Sequence, residues 1–292
     1  MIRTLFTPLL LGALLHTHCI AQDAAANRLT ARQVIERIQK NVGVKWHNQT
    51  VDTFKAGDPD TPVTGIATTM MATYDVLQRA AAAGDNLIVT HEPAFYDGQD
   101  ETAALAKESD AVLAAKMAFI DKHHLVIWRF HDHWHDRTPD GIQTGMIRAL
   151  GWKKFQNPSD DHLFVMPETT LDKLASGIKA QLGIRTLRVV GDPLMRVTKV
   201  ALNPGYSGFG DERHTLQRDD VEVLVMGEGL EWETIEYGVD ASAEGKRKAL
   251  IVLGHIPSEQ AGMEDCAQWL KGFVTEVPVQ FIATAEPFWP AK

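Results

Sequence analysis

The chain has 292 residues, enough for one large or two modest globular domains, and its 45% hydrophobic and 23% charged content is ordinary for a globular protein. Its formal net charge of -9 argues against a nucleic-acid-binding surface, which needs a basic patch. We therefore expect no nucleic-acid partner.

The first residues have the pattern of a cleavable export signal. Arg3 precedes an apolar stretch over residues 5–15, and the small residue Ala21 comes just before a candidate cleavage site at Gln22. We therefore expect residues 1–21 to be a signal peptide and the protein to be exported, either periplasmic or secreted. The apolar stretch is too short for a comfortable membrane span, so we expect no span in the mature chain.

The rest of the chain alternates predicted helices and short apolar strands. In the first half we predict helices over 29–42, 71–83, 110–123 and 141–150, and strands over 65–69, 86–90 and 125–130. In the second half we predict helices over 170–182, 231–243 and 258–274, and strands over 196–202, 221–226, 249–253 and 277–282. The strands are continuous apolar runs, which indicates buried parallel sheets between helices. We predict an α/β fold of two lobes, 22–151 and 152–292.

Three predicted strands end in residues that bind metals. His91 and Glu92 follow the first of them, a dense polar cluster over 131–136 follows the second, and His255 follows the third, with Glu259 just beyond. The carboxyl ends of parallel strands meet at one crevice, so we expect one polynuclear metal site. The mixture of imidazole and carboxylate favours zinc, manganese or iron over calcium.

The cluster over 131–136 holds three histidines and two aspartates, and its members need not all be ligands. Some of them can instead orient the true ligands. The alternation of His131, His133 and His135 is also similar to the metallo-β-lactamase motif, although His135-Asp136 has the reverse order. That alternative predicts that all three histidines bind metal and that His91 can be replaced without effect.

Several of these motifs together resemble the NIF-three-like family over nearly the whole mature chain. They are listed here in chain order: Thr90-His91-Glu92-Pro93, Asp136 to Ile142, Gly227-Glu228 and Gly254-His255 to Glu259. The resemblance implies a two-lobed, toroidal and often hexameric protein with a dinuclear metal centre, commonly named type-2 GTP cyclohydrolase I-like. It therefore implies two divalent metal ions and a homo-oligomer.

The resemblance also implies ligands by position. His91, His255 and Glu259 match the family motif directly, and Glu92 stands where the family has a second histidine. The family's aspartate is best matched by Asp136. The histidine four residues before it then falls on Asp132, which His131 and His133 flank, and we keep His131 and Asp132 as candidate ligands.

We therefore expect an exported metal-dependent hydrolase that acts on a small molecule. Glu259 or Asp136 would bridge the ions, and His133 or Glu228 would move protons. Two alternatives remain open, namely a non-catalytic metal-binding oligomeric scaffold and a metallo-β-lactamase-like hydrolase.

Overall fold

A computed structural model describes residues 29–291, which form two β-sheets flanked by helices. The predicted signal peptide lies outside the described residues. The helices are α1 Ala31–Asn41, α2 Tyr74–Ala83, α3 Ala103–Lys107, α4 Ala111–Lys122, α5 Asp132–His135, α6 Gly141–Leu150, α7 Leu171–Leu182, α8 Gly208–Gln217, α9 Glu236–Ala243 and α10 His255–Lys271. A 3₁₀ turn, Lys153–Phe155, and a π-helical turn, Glu231–Ile235, complete the helical segments of this range.

Eleven strands make up the two sheets. They are β1 Phe54–Ala56, β2 Ile66–Thr69, β3 Leu87–Thr90, β4 Val126–Arg129, β5 Gln156–Asn157, β6 Asp160–Thr170, β7 Arg188–Val190, β8 Arg196–Asn203, β9 Val223–Met226, β10 Ala249–Val252 and β11 Val279–Phe281. The first sheet has the strand order β1-β4-β3-β2-β11, and the second has the order β5-β6-β8-β9-β10-β7.

The first sheet follows the prediction of a buried parallel sheet. Its strands are parallel except for β1, which pairs antiparallel with β4. Every residue of β2, β3 and β4 is buried, as continuous apolar runs predict. The helices α1 and α10 pack on one face of this sheet, and α2 and α4 cover the other.

The second sheet is parallel only in its centre. There β8, β9 and β10 lie side by side and run the same way, while β5, β6 and β7 pair antiparallel. The long strand β6 was not predicted. Its residues are mostly exposed or half-buried, so it lacks the apolar run that marks the central strands.

The helix ends follow local sequence signals. Thr30 caps α1 in a reciprocal capping box with Gln33, as an N-cap threonine predicts. Gly84 and Gly151 end α2 and α6 in the left-handed conformation. These signals explain why the boundaries of the predicted helices fall close to the observed ones.

The C-terminal part of the chain ties the two halves together. The last strand, β11, pairs with β2 of the first sheet, and α10 packs against both β2 and α6. The boundary between residues 151 and 152 stays a prediction, because the sheets do not divide the chain at one point. Among the helices within residues 29–291, none is both long and apolar enough to cross a membrane.

Candidate metal centre

The candidate site lies between the carboxyl edges of the two sheets. From the first sheet, His91 and Glu92 follow β3, and His131 follows β4. From the second sheet, His255 follows β10 and opens α10, which also carries Glu259. Parallel strands bring these residues to facing edges, so side chains distant in sequence meet.

His91 is the deepest residue of the site. Its side chain is fully buried, and its Nδ1 lies 3.1 Å from the carbonyl oxygen of Phe130, to which it donates. Burial, together with the neighbouring His135 and His131, lowers the pKa of His91 well below its usual value. The ring is therefore neutral, and its Nε2 has a free lone pair that faces the site.

Glu92, the next residue, turns its carboxylate toward the same space. Its Oε1 lies 3.3 Å from the Nε2 of His255 and 3.6 Å from the Nε2 of His131. Burial raises the pKa of Glu92, but the hydrogen bond and charge of His255, with His131 and Arg129, outweigh burial and lower it overall. The carboxylate is therefore ionised and available to a cation.

The short helix α5 and the residue that precedes it present two histidines to the site. His131 and His135 are four residues apart, and their free ring nitrogens lie within 4.8 Å of one another and of a ring nitrogen of His91. The buried carboxylate of Asp52 holds this turn, because it accepts hydrogen bonds from the backbone N–H groups of His131, Asp132 and His133.

The start of α10 supplies the other two groups. Gly254 has a φ of 92°, a conformation that glycine adopts without strain, and it turns the chain directly from β10 into the helix. His255 is thus the first residue of the helix. We had predicted that the helix begins only at residue 258. Glu259 lies one turn later on the same face, with its Oε2 3.1 Å from the Nε2 of His255 and 3.5 Å from the Nε2 of His91.

A close backbone approach fixes Glu259. A Cβ atom on Gly205, whose φ is 69°, would lie 2.1 Å from the Oε1 of Glu259. The backbone N–H of Gly205 in turn donates to the Oγ of Ser258. A side chain at position 205 would therefore displace the carboxylate of Glu259, and the positive φ also favours glycine at this position.

Each of the four histidines is held through its other ring nitrogen. The partners are the Phe130 carbonyl for His91, Asp132 for His131, Asp140 for His135 and Glu228 for His255. Metal-binding histidines usually have such a partner, which orients the ring and fixes which nitrogen is free. The Nε2 atoms of all four are therefore left to face the site.

The negative charge of the site attracts a cation. Burial lowers the pKa of His255, but the hydrogen bond to Glu228 and the nearby carboxylates of Glu259 and Glu92 outweigh burial and raise it to about 12. The ring of His255 is therefore protonated, and its positive charge is stabilised by the carboxylates of Glu228, Glu259 and Glu92.

Two buried atoms of the site have no hydrogen-bond partner in the described structure, namely the Nε2 of His91 and the Oε2 of Glu259. Buried polar atoms of native proteins are almost always paired, so two unpaired acceptors 3.5 Å apart indicate a missing cationic ligand. The donor set of imidazole nitrogens and carboxylate oxygens fits zinc, manganese or iron.

Three predicted site residues lie elsewhere. The ring of His133 is fully buried and stacks on Trp46 with a centroid distance of 3.5 Å, and both of its nitrogens are bonded, to Asp52 and to the N–H of His47. This corrects the expectation that it moves protons, because it has no free nitrogen and does not line the cavity.

The other two are the aspartates of the same segment. Asp136 contacts His47 at 3.2 Å and groups with His47 and His133 rather than with His91. Asp132 supports His131 with one oxygen and accepts from Thr50 and Val51 with the other. We had expected Asp132 and Asp136 to be ligands. In the structure the residues one position earlier, His131 and His135, face His91 instead.

This arrangement also argues against the metallo-β-lactamase-like alternative. That alternative needs His133 beside His131 and His135 and makes His91 dispensable. In the structure His91 lies at the centre of the group and His133 faces the opposite side of the turn.

A cavity of about 570 Å³ opens over the metal-ligand group. Glu92, His131, His135, His255 and Glu259 line its floor. Its wall includes residues of the second sheet and of α8, among them Tyr206, Asp211, His214 and Arg218. The site is thus accessible to a small molecule.

Sequence reasoning missed several residues that build the site. Asp140 gave a usable signal, because an aspartate just before a predicted helix is a typical N-cap, and it caps α6 while it holds His135. Asp52 and Gly205 gave none, since their roles depend on segments far away in sequence.

The comparison with known families and proteins agrees with the fold. Residues 29–287 match the family described as Duf34/NIF3 (NGG1p interacting factor 3). A Clostridium perfringens protein named GTP cyclohydrolase 1 type 2 homolog is 25% identical over 242 residues, which cover 79% of this chain and 86% of that protein. A Chlamydia pneumoniae protein of the same name is 27% identical over 251 residues, covering 80% and 89% of the two chains.

Solved structures show the same fold at lower sequence identity. A Bacillus cereus protein related to NIF3 superposes with a TM-score of 0.69 at 14% identity, covering 90% of this chain and 99% of that one. A Staphylococcus aureus hypothetical protein superposes with a TM-score of 0.68 at 18% identity, covering 91% and 100%. The α/β fold with two sheets is therefore confirmed.

Proposed function

This chain belongs to the Duf34/NIF3 family, and from that premise we propose that it is an exported metal-dependent hydrolase with a dinuclear metal centre. One observation carries the proposal. The unpaired Nε2 of His91 and Oε2 of Glu259 lie buried 3.5 Å apart, next to an open cavity that Glu259 lines, among histidines already oriented by their other nitrogens.

Six residues would hold the ions: His91, Glu92, His131, His135, His255 and Glu259. When bound, divalent ions would supply an activated water and polarise a carbonyl or phosphoryl oxygen of the substrate. Glu259 is the residue best suited to bridge, because its Oε2 faces both His91 and His255.

Glu228 is our candidate for proton transfer. Its Oε1 lies 3.0 Å from the Nδ1 of His255, and its side chain is 51% exposed. It accepts a hydrogen bond from the Nδ1–H of His255, and its side chain faces solvent. It can therefore pass a proton between the site and water.

The wall of the cavity favours a substrate with little negative charge. Arg218 is the one Arg or Lys among the described residues that line it, and its guanidinium is paired with Asp160 at 2.7 Å and with Asp220 at 2.8 and 2.9 Å. The relatives' name suggests a purine nucleotide, but apart from the bound ions the triphosphate of GTP would find no unpaired arginine or lysine among the described lining residues. We therefore propose a small-molecule substrate without a triphosphate.

The decisive experiment measures metal content and hydrolysis together. The purified protein is stripped with a chelator, reloaded with Zn²⁺, Mn²⁺ or Fe²⁺, and assayed on phosphoesters, amides and nucleotides. We expect about two ions per chain and metal-dependent hydrolysis, with both lost in Glu259→Gln. The matched control is Glu264→Gln, an exposed residue of the same helix that pairs with Arg148. Metal binding without any hydrolysis would favour a non-catalytic scaffold instead.

Export and assembly are part of the same proposal. A mature N-terminus at Gln22, read by mass spectrometry of protein from its native host, would support cleavage of residues 1–21. Size-exclusion chromatography with light scattering would test the homo-oligomer, for which the family resemblance favours a hexamer.

A further inference from the structure

A buried arginine lies directly behind the candidate metal centre. Arg129 is the last residue of β4 and is only 4% exposed. Its Nε donates to the carbonyl of His91 at 3.2 Å, its Nη1 donates to the carbonyl of Gly98 at 2.7 Å, and its Nη2 lies 3.3 Å from the Oε2 of Glu92. A buried charge needs such partners, and here one of them is a candidate ligand.

The two oxygens of Glu92 are therefore divided between different neighbours. Oε2 is engaged by Arg129, whereas Oε1 faces the ring nitrogens of His255 and His131. A carboxylate held in this way by a charged guanidinium cannot turn both of its oxygens toward the same cation.

We propose that Arg129 is a positioning residue for Glu92, which holds its Oε2 so that Oε1 alone is presented to a bound divalent ion. The inference rests on the proposed function, because it needs the site to bind metal. It goes beyond that function by assigning a role to a residue that does not line the cavity.

The chemistry of the guanidinium explains why arginine is needed. Its planar fork donates in several fixed directions at once, here to two backbone carbonyls and one carboxylate. A lysine would keep the positive charge but not the fork. Asp100 is a second, longer ion-pair partner at 3.6 Å from Nη1, and its same oxygen also pairs with Lys55 at 3.2 Å, so Glu92 remains the carboxylate nearest to Arg129.

The test is a double-mutant cycle read out by metal affinity. Zn²⁺ affinity is measured by competition with a chromogenic chelator for the full mature chain, Arg129→Lys, Glu92→Gln and the double variant. We expect Arg129→Lys to weaken Zn²⁺ binding by about ten-fold, the scale of lost ligand support. In the Glu92→Gln background the same substitution should have a much smaller effect, which reports only the bond of Arg129 to the His91 carbonyl, because Arg129 acts mainly through Glu92.

A structural role alone would give a different pattern. Equal weakening in both backgrounds, or none in either, would overturn the inference while leaving the metal centre intact. A wild-type chain that binds no Zn²⁺ would instead overturn the proposed function and this inference with it.

Arg37→Lys is the control, since Arg37 also binds a carboxylate and a carbonyl but lies far from the site. If Arg129→Lys does not fold, Arg129→Gln gives the same comparison.

Discussion

Neighbouring histidines of one short turn have opposite roles. His135 is held by Asp140 and faces His91, whereas His133 stacks between Trp46 and His47 and is bonded at both nitrogens. Side chains two residues apart in a helical turn point in different directions, so one serves the site and the other serves the core. The density of histidines in this segment therefore overstates the number of ligands.

The two histidines make a matched pair of variants. We expect His133→Ala to lower the free energy of unfolding by about 2 to 4 kcal/mol, because it empties a buried, fully bonded position, and to leave Zn²⁺ stoichiometry unchanged. We expect His135→Ala to lower Zn²⁺ affinity and to change metal-free stability by at most about 1 kcal/mol. Denaturant titration and metal analysis of both variants check this. Loss of metal in His133→Ala with a normal stability would contradict it.

At the scale of elements, the contact between α6 and α10 positions the site. A Cβ atom on Gly145 would lie 2.5 Å from the Cα of Gly262, so the two helices touch through their backbones. The Asp140 that caps α6 holds His135, while α10 carries His255 and Glu259. The distance between these helices therefore sets the distance between two groups of ligands.

Separating the helices should damage both stability and metal binding. We expect Gly145→Ala to lower the free energy of unfolding by about 1 to 3 kcal/mol, because the backbone of α10 must move, and to weaken Zn²⁺ binding. Gly177→Ala in α7 is the control. Nothing lies within 4 Å of its added Cβ, and we expect it to stabilise the protein by about 0.5 to 1 kcal/mol. An unchanged Zn²⁺ affinity in Gly145→Ala would show that the helix contact does not set the site.

The first helix is attached through an ion pair whose strength depends on pH. Arg37 of α1 binds both oxygens of Glu276, at 2.7 and 3.0 Å, and this hydrogen bonding lowers the pKa of Glu276 from 4.5 to about 2. A lowered folded-state pKa gives a stabilisation that is present above pH 4.5 and is lost as the pH falls through 2.

Glu276→Gln tests this dependence. We expect a lower urea midpoint than wild type at pH 6, by a small margin because the pair is partly exposed, and a difference that shrinks steadily below pH 4.5. Urea titrations at a series of pH values measure it. A difference that is constant with pH would mean that the loss comes from packing rather than from charge.

At the scale of the whole molecule, the site joins the two sheets. Its residues come from the ends of β3 and β4 on one side and from α10 on the other, and α10 leads back to β11 in the first sheet. A bound cation would therefore link segments from both halves of the chain, and the free energy of binding would add to the free energy of unfolding.

Removing metal should therefore lower the stability of the whole molecule. With free Zn²⁺ at about 100 times its dissociation constant, we expect a stabilisation of about 2.7 kcal/mol for each bound ion, which a chelator abolishes. Thermal melts with Zn²⁺ and with chelator measure it. In His91→Ala the two melts should coincide, and a persistent difference in that variant would place the bound metal elsewhere.

Local signals in the sequence determined much of the fold. Thr30, Gly84 and Gly151 are residue types typical of helix ends, and continuous apolar runs predicted the buried central strands, because capping and burial depend on neighbouring residues. The sequence also predicted that His91, Glu92, His255 and Glu259 meet in one crevice, because residues that follow parallel strands lie at the carboxyl edge of the sheet.

Tertiary structure alone decided the rest. The strand β6 and the pairing of β11 with β2 depend on partners far away in sequence. Within residues 131–136, the hydrogen bonds from the turn to Asp52 set its direction, so His131 and His135 face the site while His133 and Asp136 do not. The sequence thus determined which residue types reach the site. Only the packing of distant segments decided which side chains point into it, because orientation in a tight turn depends on contacts that no local pattern encodes.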